Sequence, residues 1–290
     1  MAKIRTRGHR VVLNRSRGGD VGITVMLTLM GAFMFLPMIY VIFQAFKPYN
    51  ELFYFPPRFF PEQPTFSNFG SLFKLMGDSW VPFSRYVFNT AFISIAGTFG
   101  NLALGSLAAY AMSKINFPGR SGFFAIIQYS LMISATVTAL TQFVILSWLG
   151  LLDSYWSLII PAWGSTLGLF LMKQFMDSSV SVPVLESARL DGASELKIFW
   201  EIAMPMVKPA WLTMIVYSFQ GLWNSGTSIY IYSEQYKTLN YAISQITSAG
   251  VARQGAAAAG VVIMMIVPIL VFVFSQSQIV ETMGSSGMKD

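Results

Sequence analysis

The sequence predicts an all-α, polytopic membrane protein: six transmembrane helices, with a cytoplasmic helix–turn–helix loop between the fourth and the fifth. Three observations predict it. Of the 290 residues, 54% are hydrophobic and only 11% are charged, against roughly 25% charged in ordinary soluble domains. Charge-free apolar runs long enough for a bilayer core, which takes about 20 helical residues, occur six times. Between two of those runs, residues 186–210 carry seven charged side chains.

The chain opens on a basic tail, residues 1–20. Six of the 19 Lys and Arg residues lie in its first 17 positions, which leaves 13 basic and 13 acidic residues elsewhere. The excess charge is therefore a juxtamembrane feature and not a nucleic-acid surface. The first run, residues 21–46, is too long for the 7–15-residue apolar region of a signal peptide and reads as an uncleaved span. The further runs are residues 86–113, 121–146, 155–172, 210–231 and 256–275. Together they define a six-helix body over residues 21–275, followed by a tail over 276–290. Residues 47–83 form the longest outer loop, where "YFPPRFFPEQP" predicts irregular backbone with aromatics near the interface.

Six spans place both termini on one side. With the tail inside, the inner segments hold 13 Lys/Arg residues and the outer segments six. The positive-inside rule favours that orientation, a multi-pass protein of a cytoplasmic membrane with both termini cytoplasmic. The chain has no cysteine and one histidine, His9 in the tail. Disulfides, thiol nucleophiles, histidine catalysis and clustered metal ligands are thereby excluded from the spans. No G-x-x-x-x-G-K-[ST] phosphate loop is present, so the chain is expected to bind no nucleotide or other cofactor itself.

The charged interruption, residues 177–209, reads as two short helices. Pro183 can open the first and Asp191-Gly192 can close it. Ser194 can cap the second, with Glu195 in its first turn. Leu196, Phe199, Trp200 and Ala203 recur at the spacing of one apolar stripe, and Pro205 marks its end. Such a stripe can lie in the membrane interface or fill a groove on a partner. Acids Glu186, Asp191, Glu195 and Glu201 count against an anionic surface and for a protein groove.

The same stretch resembles the EAA loop of bacterial ABC importer permeases. Glu186, Ala188, Asp191, Gly192, Ala193, Ile202 and Pro205 match its pattern, with Ser187 replacing a small residue. "FPGR" at 117–120, "PPRFFPEQPTFSNF" at 56–69 and "WN" at 223–224 resemble the carbohydrate branch, closest to six-span maltose-type subunits. The resemblance implies a permease that imports an oligosaccharide or related carbohydrate by alternating access. It implies coupling to a separate ATPase, which holds ATP and Mg, through Glu186, Ala188, Arg189, Asp191, Gly192, Ala193, Leu196, Phe199, Trp200 and Pro205. Implied partners are a second, different permease chain, two copies of the ATPase, an extracytoplasmic solute-binding protein and the lipid bilayer. Where the family continues "WN" with an acid, Ser225-Gly226 stand here.

Ionisable residues are nearly absent from the runs, which argues against a proton relay or a charged-solute site. Gln128, Thr138, Gln142, Tyr217, Gln220, Trp223 and Asn224 form the candidate pathway. Amides suit the hydroxyls of a sugar, and rings suit its apolar faces. Such residues also join helices to one another, at about 0.6 kcal/mol each. Gln220 and Asn224 share one helix face, and Gly164 and Gly168 form a G-x-x-x-G pair for close packing. Other readings are an ABC permease for a non-sugar solute, a secondary transporter and a polytopic membrane enzyme. The last lacks acid–base or metal groups, and the secondary transporter lacks inverted repeats.

Overall fold

The computed structural model describes residues 17–77, 80–226 and 229–286; the basic tail up to residue 16 and the last four residues lie outside it. Among the described residues the fold is helical throughout, with no strand. The elements are α1 (Arg17–Phe46), a 3-10 turn (Tyr49–Phe53), α2 (Ser67–Gly77), α3 (Phe83–Lys114), α4 (Arg120–Ser130), α5 (Ala135–Trp148), α6 (Trp156–Trp163) and α7 (Thr166–Ser179). There follow α8 (Val182–Leu190), α9 (Glu195–Ile198), a π segment (Phe199–Ala203), α10 (Met204–Met206), α11 (Lys208–Trp223), α12 (Leu239–Ser248) and α13 (Gln254–Ser286).

Three helices are long and apolar enough to cross a bilayer: Gly18–Phe46, Phe83–Lys114 and Val251–Gln276. The third and fourth apolar runs are each broken in two, so six long helices are not what the chain forms. Local chemistry explains both breaks. Ser134 stops the third run and caps α5, its hydroxyl accepting from Thr136 N–H at 3.3 Å. Gly164 ends α6, and Ser165 caps α7 by accepting from Gly168 N–H at 3.3 Å. Satisfying orphan N–H groups in this way makes helix ends affordable inside a membrane protein. The fifth run ends at Trp223 instead of 231, because Asn224 leaves the helical conformation. Gly164 and Gly168 therefore lie on different helices and form no common packing face.

α3 is the central element, packed against α11, α7 and α6. Glycine permits one of these approaches: a β-carbon on Gly100 would drive into the indole of Trp163, whose N–H donates to Ala96 O at 3.1 Å. Two apolar cores lie at opposite ends of α3. One joins Tyr86 to Leu72, Phe219, Trp223, Ile243 and Met264. The other joins Tyr110 to Met176, Leu185, Phe199, Val207 and Met214.

At the first end a polar clasp grips the segment before α12. Asn89, fully buried, donates to Gln235 O (2.9 Å) and Lys237 O (2.8 Å) and accepts from the Tyr155 hydroxyl (2.7 Å). Thr90 Oγ1 accepts from Leu239 N–H at 2.8 Å, and the Tyr86 hydroxyl donates to Glu234 at 2.8 Å. Asp153, at φ 56°, accepts from Tyr232 N–H, Ser233 N–H and the Ser233 hydroxyl at 2.9, 2.7 and 2.5 Å. Its burial pushes the Asp153 carboxyl up, but these donors and Lys237 hold it below the ordinary value. The outer loop is irregular over 54–66, as its prolines predict, but contains α2, which they do not. Asn68 ties α2 to the end of α1, donating to Ala45 O (3.0 Å) and Lys47 O (2.7 Å).

Candidate coupling loop and solute pathway

At the opposite end α8 and α9 form the predicted helix–turn–helix. Pro183 sits in the first turn of α8. The turn after it is a Schellman closure: Gly192 N–H donates to Arg189 O, and Ala193 N–H to Ala188 O, both at 3.0 Å. Gly192 takes φ 82°, the left-handed conformation that the closure requires. Ser194 Oγ accepts from Lys197 N–H at 3.4 Å and caps α9.

An ion pair fixes the angle between the two helices. Arg189 donates through Nε and Nη2 to the two oxygens of Glu195 at 2.6 and 3.3 Å, and the Tyr110 hydroxyl of α3 donates to the same carboxylate at 2.9 Å. The Arg189 bonds hold the Glu195 carboxyl below its usual range, against the upward push of burial; Tyr110 adds to the lowering. Arg189 and Glu195 thus brace the loop against the membrane body. Glu186 and Asp191 are exposed and form no ion pair among the described residues.

The apolar stripe divides in two. Phe199 is 1% exposed and packs its ring on Tyr110 at 5.5 Å, and Ala203 is fully buried. Leu196 (65% exposed) and Trp200 (55%) face outward beside Leu190. Phe199 is therefore a core residue and offers no surface to a partner. The stripe splits along its i, i+4 rows, Phe199 with Ala203 inward and Leu196 with Trp200 outward, and a π turn, in which Met204 N–H bonds back to Phe199 O, lies across it. The helix runs on through Pro205 to Met206 instead of ending before the proline. The chain then bends by 84° at Val207 into α11. Leu190 was missed in the sequence because it lies outside the stripe's spacing.

The candidate pathway residues do not share one site. Tyr217, Gln220 and Asn224 line a cavity of about 440 Å³ between α3, α11 and the α6–α7 break, with Ser165, Ser218 and Asn101. Asn101, 2% exposed, donates to Ser218 Oγ at 3.0 Å, and its Oδ1 has no partner among the described residues. Among the described residues no charged side chain lines this cavity. Thr138 and Gln142 line a separate, mostly apolar groove of about 480 Å³ along α5 and α6. Gln128 is exposed on α4 and lines neither. Trp223 is buried, stacks on Phe219 at 5.4 Å and donates to Met264 O at 3.0 Å, so it belongs to the core and not to the pathway.

A cavity that sets amides and hydroxyls into a largely apolar lining, and exposed acids on the helix–turn–helix at one end, fit one class, the transport permeases. The chain belongs to the family of binding-protein-dependent transport system inner membrane components, whose pattern matches residues 17–283. It is 30% identical to the sn-glycerol-3-phosphate transport system permease protein UgpE of Yersinia enterocolitica serotype O:8 over 215 residues, 73% of this chain and 76% of that one. Protein LplC of Bacillus subtilis is 30% identical over 71% of this chain and 67% of its own. The galactooligosaccharides transport system permease protein GanQ of the same organism is 29% identical over 68% and 69%. A crystal structure of a bacterial ABC transporter involved in import of the acidic polysaccharide alginate shares the fold, with a TM-score of 0.76, 24% identity and coverage of 91% of this chain and 98% of that one. The chain is thus a multi-pass permease subunit of an ABC importer.

Proposed function

We propose that this subunit passes a neutral, polyhydroxylated solute, an oligosaccharide or related carbohydrate, into the cell by alternating access. The observation that carries the cargo class is the lining of the 440 Å³ cavity: amides, hydroxyls and the Tyr217 ring beside apolar Ala162 and Leu222, without a charge among the described residues. An anionic cargo such as the glycerol phosphate or alginate of the relatives would need cations there, since an unpaired charge is costly in a low-dielectric interior. The exposed apolar and acidic side chains of α8–α9 support docking into a separate ATPase that binds ATP and Mg. Two ATPase copies, a second permease chain and an extracytoplasmic binding protein complete the assembly, with both termini of this chain in the cytoplasm.

The test is uptake by the assembled transporter in proteoliposomes with its binding protein. Gln220→Ala and Asn224→Ala each remove about 1 kcal/mol of hydrogen bonding, about fivefold in uptake at limiting solute, with assembly and basal ATP hydrolysis retained. Unchanged uptake in the double variant would assign the pair to helix packing. Uptake of an anionic sugar in preference to its neutral counterpart would refute the cargo class.

A further inference from the structure

A second cavity, at the end of the molecule that carries α8–α10, has no part in the solute pathway. It measures about 380 Å³ and is lined by Phe117, Gly119, Arg120, Ser121, Phe124 and Lys173. Its position is fixed by Lys114, whose Nζ donates to Val180 O at 2.7 Å, two residues before α8 begins. Positive charge is in excess around it. Arg120 donates to Met112 O (2.6 Å), Ser113 O (2.7 Å) and Asn116 Oδ1 (3.2 Å), all neutral acceptors. A guanidinium has five N–H donors, so two remain for a ligand. Lys173, with its side chain 11% exposed, bonds the Asp177 carboxylate at 2.5 Å and lies 4.1 Å over the Phe124 ring. Among the described residues, Lys114, Arg120 and Lys173 thus face a single acid, Asp177.

The surface leading away from the cavity is apolar. Phe123 and Ile126 stand exposed one turn apart on α4, a helix with no buried residue. A cationic head site continuing into an apolar, outward-facing strip matches an amphiphile with an anionic head. We propose that this cavity seats the phosphate of an anionic phospholipid, with its acyl chains along the Phe123–Ile126 face of α4. In the topology proposed above this is the cytoplasmic leaflet, whose anionic lipids attract juxtamembrane Lys and Arg.

The experiment uses the intact transporter, with its partner subunits, in nanodiscs of equimolar phosphatidylglycerol and phosphatidylcholine. Bound lipid is counted by native mass spectrometry after extraction. The wild type retains phosphatidylglycerol over phosphatidylcholine. Ser121→Glu, which adds a negative charge at an exposed position without breaking a hydrogen bond of the fold, lowers that retention about fivefold, as does Lys173→Gln. Thermal unfolding and subunit composition, measured in parallel, stay at wild-type values in Ser121→Glu. Equal phosphatidylglycerol retention in all three proteins overturns the proposal. So does displacement of the lipid by millimolar inorganic phosphate, which would assign the site to a soluble anion. A photo-crosslinker at Phe123 that captures a partner subunit instead of lipid overturns it as well.

Discussion

Gly192 holds the angle of the helix–turn–helix with a backbone conformation that a β-carbon opposes. At φ 82° nothing crowds the site, so the cost of a side chain is conformational and not steric. Gly192→Val is expected to cost about 1–2 kcal/mol, spent on opening the angle between α8 and α9 while the spans stay folded. Glu186→Ala acts differently. Its carboxylate has no ion-pair partner among the described residues, so its loss is expected to leave the subunit's own stability unchanged. If the carboxylate meets a cation in a partner's cleft, docking weakens by about 2–5 kcal/mol. ATPase co-purification and solute uptake, at matched membrane abundance, check both. Wild-type values for the two variants would remove the case for coupling through this loop.

The α9–α10 helix presents two apolar surfaces with different duties. Phe199→Ala should destabilise the subunit by about 3–5 kcal/mol through the cavity it leaves against Tyr110. Leu196→Asp, on the outward side, should leave the melting temperature of the isolated subunit unchanged and abolish ATPase binding. Thermal unfolding in detergent and pull-down of the ATPase separate the two; equal effects on melting would show that the outward side is also core. The helix–turn–helix was legible in the sequence because its start and stop residues are unambiguous: Pro183, Gly192 and Ser194 act locally. The division of its stripe was not, because an i, i+3, i+4, i+7 spacing holds two i, i+4 rows and only tertiary packing decides which row turns inward. The breaks at Ser134 and Gly164-Ser165 were hidden for another reason. Hydropathy sums see small polar residues as neutral filler, while their hydroxyls cap new helices. Tyr217, Gln220 and Asn224 converge because they share a helix face. Gln128, Thr138 and Trp223 do not join them, since placement across helices is set by packing.

The six apolar runs, read together with the structure, put α2 and the α8–α9 loop at opposite ends of the molecule. α1 has no residue buried within its apolar window, whereas α3 has 44% of its window buried. The first span is therefore peripheral and the second central. In the cysteine-free chain, single cysteines at the exposed positions Ser67 and Ser194 should label from opposite sides of the membrane, Ser67 only from outside and Ser194 only from the cytoplasm. Labelling of both from the same side would refute the orientation and the charge rule on which it rests.

The clasp at the head of α3 also has a consequence in time. Asn89 and Thr90 are satisfied by residues 146–149 positions downstream. During synthesis at about 5–20 residues per second, roughly 7–30 s separate the emergence of α3 from that of its partners. Throughout that interval the Asn89 amide lacks its carbonyl partners, which hydrocarbon tolerates poorly, whereas the Thr90 hydroxyl is covered within α3 by donating to Tyr86 O at 2.9 Å. Nascent α3 therefore depends on water, the translocation machinery or another chain to cover Asn89 until residues 235–237 arrive.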